Sequence, residues 1–236
     1  MKNTEELEKA WRSFEKRYKE KKLLNLAISF IIISTGVFSV NYIWHYDKDG
    51  ILTFRWMTVD GTVFTVLMTT LYVVVNLIEL IKKTEMTRKT AYFAKLSSAV
   101  AECIIITVVL LSQLPFSPDH MHITRPDMFC MHILIPVLSV ASFVINDSPI
   151  GKLRFGELLL GTAFVTCYAL VMIPLILTGI ITNEQIPYFF LDFRHMAIMY
   201  IAGCFLFIYG IGYLWSLALS RLNRKLYWLW FKNIAG

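Results

Sequence analysis

Polar residues recur at helical spacing within an otherwise apolar stretch of the chain. From Thr58 they follow at steps of four, three, four, three, four and three residues, at Thr62, Thr65, Thr69, Tyr72, Asn76 and Glu79. On an α-helix this spacing places all of them on one face. Polar groups in hydrocarbon are unfavourable unless they meet partners or water, so we expect this stripe to face the inside of a helix bundle.

The stripe belongs to the second of six apolar runs. Each run is about long enough to cross a hydrocarbon layer of about 30 Å, which takes roughly 20 helical residues. The six runs cover approximately residues 23–43, 57–81, 92–114, 131–145, 155–181 and 195–219. The pattern therefore predicts an all-α fold, a polytopic membrane protein with a bundle of six transmembrane helices.

Two charged segments flank the predicted bundle. Residues 1–22 carry apolar side chains at helical spacing between Lys, Arg and Glu, which predicts an amphipathic helix on the membrane surface. Residues 221–236 combine aromatic residues with Arg and Lys, and we expect an interfacial tail there. Residues 23–220 then form one transmembrane domain.

Composition supports a membrane protein and argues against nucleic-acid binding. The chain has 236 residues, 56% of them hydrophobic, and a mean hydropathy of +0.57, which is too apolar for an ordinary soluble domain. The net charge of +6 comes from basic residues beside the apolar runs. We expect them to lie at a bilayer surface, and we expect no nucleic-acid partner.

The basic residues also predict an orientation. If the chain crosses six times, nineteen of the 23 Lys and Arg residues fall on one side. The other side holds the remaining four, at Lys48, Arg55, Arg125 and Arg194. By the positive-inside rule both termini are cytoplasmic, and we expect a multi-pass protein of the cell membrane.

Thr58 and His132 open the second and fourth predicted helices at the same, non-cytoplasmic side. These helices run in the same direction, so the two residues are expected at similar depth. A neighbouring imidazole can accept the proton of a Thr hydroxyl as it attacks, as in Ser–His catalysis. Each residue alone also fits a structural role, the Thr bonded to its own helix and the His to water or a carbonyl.

The sequence around these two residues resembles the androgen-induced-gene and androgen-dependent tissue-factor-pathway-inhibitor-regulating family and its bacterial relatives. Members are polytopic membrane hydrolases whose catalytic Thr follows an aromatic-rich lead, as Phe54-Arg55-Trp56-Met57 precedes Thr58 here. The family His stands shortly before a Pro, as His132 precedes Pro136. Similarity extends over most of the six-helix region, with the N-terminal segment outside it.

The resemblance implies hydrolysis of lipid esters, such as fatty acid esters of hydroxy fatty acids. It implies Thr58 as the nucleophile and His132 as the general base, with a lipid as substrate and no cofactor or metal. No acidic partner for His132 is evident along the chain. The residues that we expect at the substrate pocket are Arg55, Thr62, Thr65, Ser139, Arg194 and His195.

Other functions are open from the residues alone. Lys95, Ser98 and Glu102 share one face of the third helix, and with the Thr stripe they suit a small carrier or sensor. The segment 119–122, Asp-His-Met-His, is a weak metal motif without a third well-spaced ligand. Haem ligation by His132 and His195 is a further alternative. The four cysteines have no CxxC spacing and predict neither a disulfide framework nor a zinc site.

Overall fold

The chain folds into a bundle of helices in a computed structural model that describes residues 4–46, 50–82, 88–113, 124–146, 149–188, 191–192, 195 and 197–235. Within these ranges there are helices and no strand. Six helices are long and apolar enough to span a bilayer. The predicted all-α bundle of six membrane helices is therefore confirmed.

The spanning helices are labelled in chain order. α1 is Thr4–Tyr46, α2 is Met57–Lys82, α3 is Arg88–Val108 with a π-helical turn at Val109–Gln113, and α6 is Ile198–Ala235. α4 comprises Pro126–Phe129, a π-helical turn at Cys130–Leu134, Ile135–Ala141 and a second π-helical turn at Ser142–Asn146. α5 comprises Phe155–Leu159, a 3₁₀ turn at Leu160–Thr162 and Ala163–Leu177. A 3₁₀ turn at Gly50–Arg55 leads into α2.

α1 passes without a break from the predicted surface helix into the first membrane span. No Gly or Pro precedes Gly36, so nothing in the sequence ends the helix near residue 22. The Lys19 ammonium lies 2.8 Å from the Glu15 carboxylate one turn earlier and lowers the pKa of that carboxyl. At the other end of the chain, α6 likewise continues through the predicted interfacial tail.

The start of α1 and the end of α6 lie at the same end of the bundle. Lys21 Nζ donates a hydrogen bond to the carbonyl of Ile145 at the end of α4, at 3.1 Å. Asn223 Nδ2 of α6 donates to the carbonyl of Phe143 at 2.9 Å. We call this the terminal end, and the opposite end, where α2 and α4 begin, the Thr58 end. The assignment of the terminal end to the cytoplasm stays a prediction.

α3 lies at the centre of the bundle. Of its most apolar membrane window, 72% is buried inside the protein, compared with 17–44% for the other five helices. Its residues Leu96, Ala99, Val100, Ile104 and Ile105 belong to the main hydrophobic cluster, together with side chains of the α4, α5 and α6 helices. α3 therefore presents no wide lipid-facing surface, and any polar group it carries must be accommodated inside the protein.

Gly161 allows α5 to approach α6 closely. A Cβ at this position would overlap Ser216 Oγ and lie 3.1 Å from Ser216 Cβ, whereas a Cβ at Gly156 would have no neighbour within 4 Å. We expect Gly161→Ala to lower the free energy of unfolding by about 1–3 kcal/mol through overpacking. The melting temperature in detergent measures this effect.

The matched control is Gly156→Ala, which adds the same methyl group in α5 without a clash. It should leave the melting temperature unchanged or raise it, because Ala favours helix over Gly. Equal melting temperatures for the two variants would contradict the close approach of α5 and α6.

Candidate functional site

The polar stripe of α2 faces the inside of the bundle, as its spacing predicts. Thr62, Thr65 and Thr69 are fully buried, and the stripe continues with the buried side chains of Tyr72 and Asn76. The side chain of Glu79, the last member, lies outside the described residues. The stripe therefore forms a polar interior surface and not a lipid-facing one.

Thr58, the first member of the stripe, lies beneath Tyr188. The Thr58 side chain is 6% exposed, and its hydroxyl lies close to the Tyr188 hydroxyl. The backbone N–H of Met57 donates to the same Tyr188 oxygen at 3.2 Å. Burial raises the pKa of Tyr188, so the phenol stays neutral and its O–H remains a donor.

Tyr188 is a site residue that the sequence analysis does not identify. It comes from the segment between α5 and α6, 131 positions along the chain from Met57. A lone Tyr in a connecting segment carries no periodic signal, and only the tertiary fold brings it to the start of α2. The same holds for Tyr168 of α5, whose hydroxyl donates to the carbonyl of Arg55 at 2.8 Å.

The predicted pocket residue Arg55 stacks on its neighbour in the lead to α2. Its guanidinium lies 5.3 Å from the centroid of the Trp56 ring, a cation–π contact. Trp56 in turn meets Tyr188 edge-to-face, with ring centroids 6.2 Å apart. Arg55, Trp56 and Tyr188 are thus in consecutive contact next to the start of α2.

His132 lies in the π-helical turn at Cys130–Leu134. Its ring Nδ1 is 2.9 Å from the carbonyl oxygen of Met128. Because a carbonyl only accepts, Nδ1 carries the proton and Nε2 is left as the basic nitrogen. π-helical turns occur often at functional sites, although this chain has others, so the turn alone does not mark a site.

A buried carboxylate lies near His132 but is paired with another residue. Asp127 is fully buried, close enough to His132 to interact electrostatically. Its oxygens accept hydrogen bonds from Arg125 Nε at 2.9 Å and Nη2 at 2.6 Å. The group that orients the imidazole is therefore the Met128 carbonyl, and the arrangement differs from a Ser-His-Asp triad in this respect.

Thr58 and His132 lie at the same level of the bundle. A Cβ placed on Gly36 of α1 would lie 3.5 Å from Thr62 and 3.8 Å from Ile135. Thr62 of α2 and Ile135 of α4 therefore both lie beside Gly36. Thr58 is one turn before Thr62, and His132 is three residues before Ile135, on helices that both begin at this end.

Their chain neighbours Val59 and Met131 belong to one hydrophobic cluster, which also places the starts of α2 and α4 together. Among the described residues no hydrogen bond joins Thr58 to His132. The structure thus brings the two predicted catalytic residues to one region, where Thr58 lies beside Tyr188 and His132 is hydrogen-bonded to the Met128 carbonyl.

The other predicted pocket residues occupy different places. Thr62 donates its hydroxyl to the carbonyl of Thr58 at 2.9 Å, so it is committed within the helix. Thr65 and Ser139 are buried deeper in the bundle. His195 is exposed and its Nδ1 lies 2.9 Å from the Asp192 carboxylate. Arg194 and the segment 119–122 lie outside the described residues.

An apolar groove runs between α3 and α6 in the half of the bundle that contains the Thr58 end. It encloses about 500 Å³, within the range of roughly 300–1,000 Å³ that small-molecule pockets occupy. Its walls include Val108, Leu111, Met199, Phe207 and Ile211. The groove has the size and the apolar lining that an acyl chain requires.

No family model, no curated protein and no solved structure matches this chain. The family resemblance therefore stays a prediction from the sequence. The structure itself establishes a membrane bundle of six helices with a polar interior.

Proposed function

We propose that the protein is an intramembrane hydrolase that cleaves lipid esters, such as fatty acid esters of hydroxy fatty acids, with Thr58 as nucleophile and His132 as general base. The observation that carries this proposal is the tautomer of His132. Its Nδ1–H is held by the Met128 carbonyl, which leaves a basic Nε2 at the level of the buried Thr58 hydroxyl.

The first half of the reaction acylates Thr58. The Thr58 oxygen attacks the ester carbonyl carbon while His132 Nε2 takes the hydroxyl proton. The tetrahedral intermediate then collapses, the bond between the carbonyl carbon and the alcohol oxygen breaks, and His132 returns the proton to the departing alcohol. The alcohol leaves and the acyl group stays on Thr58 as an ester.

Tyr188 is the oxyanion donor in this scheme. Its neutral hydroxyl lies beside Thr58, where the negative charge of the tetrahedral intermediate would develop. A fixed O–H donor in a buried site stabilises such charge more than it would in water. The bond from the Met57 N–H holds the Tyr188 oxygen in place and polarises its O–H.

The apolar groove between α3 and α6 supports a lipid substrate. It lies at the level of Thr58 and is lined by side chains that favour a hydrocarbon chain over a polar solute. The lining residues of the groove belong to α3 and α6, so the groove supports binding of an apolar chain but does not by itself place that chain at Thr58.

Detection of the acyl–Thr58 ester tests the proposal. Purified protein is mixed with a fatty ester that releases a chromophoric alcohol, quenched within the first turnover and digested for mass spectrometry. We expect a burst of about one alcohol per protein and an acyl mass on the peptide that contains Thr58. Thr58→Ala should abolish both, whereas Thr58→Ser should retain the adduct.

The control is Thr70→Ala, which removes a hydroxyl from the lipid-facing side of the same helix. It should show the burst and the adduct of the unmodified protein. Turnover of the ester by Thr58→Ala at the unmodified rate would refute a Thr58 nucleophile.

A further inference from the structure

A column of buried polar side chains fills the space between α2, α3 and α4. α2 and α3 run antiparallel, and two contacts fix how they are aligned. Thr65 of α2 lies beside Glu102 of α3. Seven residues later in α2, the Tyr72 ring lies under Lys95, which is seven residues before Glu102 in α3. Thr69 and Ser98, four residues from Thr65 and from Glu102 respectively, therefore face each other between these two pairs. We call the set the polar column, and its members are Thr65, Thr69, Tyr72, Lys95, Ser98, Glu102, Ser139 and Ser142.

The end of the polar column nearer the chain termini is hydrogen-bonded. Lys95 is 1% exposed, and its ammonium donates to Ser142 Oγ at 2.7 Å and lies 4.7 Å from the Tyr72 ring centroid. Ser142 donates to Asn25 Oδ1, and Asn25 Nδ2 donates to the Tyr72 hydroxyl at 2.7 Å. Lys95 is thus a built-in cation inside the bundle.

The remaining polar atoms of the column are buried and lack hydrogen-bonding partners among the described residues. Both oxygens of Glu102, which is fully buried, have no hydrogen-bonding partner within the part of the chain that the structure describes. The hydroxyls of Thr65, Thr69, Ser98 and Ser139 likewise have no hydrogen-bonding partner there. Thr65 lies beside the Glu102 carboxylate but outside hydrogen-bonding geometry.

Such a concentration of orphaned polar atoms requires a ligand, because a buried polar group without a partner costs free energy. The chemistry of the donor set selects water. Hydroxyls both donate and accept, and the carboxyl oxygens of Glu102 accept, so water can satisfy every member of the set. A metal cation would add a second positive charge about 10 Å from Lys95, seven helical residues along α3.

We propose that the polar column binds a file of water molecules from Lys95 past Glu102 toward Thr62, and that this file supplies the water that cleaves the acyl–Thr58 ester. The second part rests on the proposed function. Tyr188 lies beside Thr58 and packs edge-to-face on Trp56, and in this proposal the column is the polar path to the nucleophile from within the bundle.

In the deacylation step, this water cleaves the acyl–Thr58 ester. The water oxygen attacks the acyl carbon and its proton passes to His132 Nε2. The bond between the acyl carbon and Thr58 Oγ breaks, and His132 gives the proton to Thr58. A free carboxylic acid leaves, and the column replaces the water that was consumed.

Hydroxyl-radical footprinting by pulsed radiolysis tests the water file without any substrate. Radicals form from bound water and modify the side chains beside it. Tyr72 in the polar column and Tyr92 in the main hydrophobic cluster are 4% and 3% exposed, so they form a matched pair. We expect Tyr72 to be modified severalfold faster than Tyr92. Equal rates would overturn the proposal.

Isosteric removal of the hydroxyls gives a second test, because the melting temperature should change in opposite directions in a dry and in a hydrated column. If the polar column were dry, Thr65→Val and Thr69→Val would relieve unsatisfied hydroxyls and raise the melting temperature. If it binds water, each variant loses a water contact, and we expect the melting temperature to fall by about 2–4 °C. Thr70→Val, on the lipid-facing side, is the control.

The supply of water is tested by the kinetics of the same variants. With a chromogenic ester, Thr65→Val and Thr69→Val should keep the burst of the unmodified protein, and the steady-state rate after it should fall severalfold as acyl–Thr58 accumulates. An unchanged steady-state rate would refute the supply role alone. Hydrolysis of the ester by Thr58→Ala at the unmodified rate would refute the proposed function, and footprinting would still decide whether the water file exists.

Discussion

His132→Ala should lower the rate of ester hydrolysis by about 10²–10⁴-fold, the usual contribution of a general acid–base group. The imidazole is needed in both half-reactions, first for the Thr58 hydroxyl and then for the attacking water. Its Nδ1 is held by the carbonyl of Met128, so the ring is fixed in the tautomer that the reaction requires. The measurement is fatty acid release from a long-chain ester in nanodiscs under steady-state conditions.

A double variant separates catalysis from structural damage. If Thr58 and His132 act as one unit, Thr58→Ala/His132→Ala should be no slower than Thr58→Ala alone. Independent structural effects would instead multiply. His45→Ala, which removes an exposed His at the end of α1, should leave the rate unchanged. More than half of the unmodified activity in His132→Ala would eliminate His132 as the base.

Local pattern was sufficient to predict the elements and the inward face of α2. Steps of three and four residues define a helix face without knowledge of any neighbour, so the burial of Thr62, Thr65 and Thr69 could be predicted. The same reasoning placed Lys95, Ser98 and Glu102 on one face of α3. It did not reveal that α3 is the central helix, so Lys95 was counted among the basic residues at a membrane surface.

The side-chain pairings at the site could not be predicted from periodicity. Tyr188 reaches Met57 from far along the chain, and Asp127 is paired with Arg125 and not with His132. The boundary at residue 22 was an inference from charge, whereas helix continuity depends on the absence of a helix-breaking residue. Periodicity reports neither kind of information, because it describes one element at a time.

Removal of the buried Lys95 ammonium is expected to have a large effect on the stability of the protein. Lys95→Met should lower the free energy of unfolding by roughly 3 kcal/mol, because it removes the buried hydrogen bond to Ser142 Oγ and the cation–π contact with the Tyr72 ring. The opposite sign is expected if Lys95 is only a costly isolated charge, since Met fills similar volume without desolvation. Unfolding in mixed micelles with increasing SDS measures the difference.

The double variant Lys95→Met/Glu102→Gln decides whether the two charges are coupled through the polar column. If Glu102 depends on Lys95, the double variant, which removes both ionisable groups, should be more stable than Lys95→Met alone even though it carries one more substitution. Lys89→Met removes an exposed ammonium from the first turn of α3 and should change little. A double variant less stable than Lys95→Met would mean that Glu102 is balanced locally. In that case the water file is held by the hydroxyls and not by an interaction between Lys95 and Glu102.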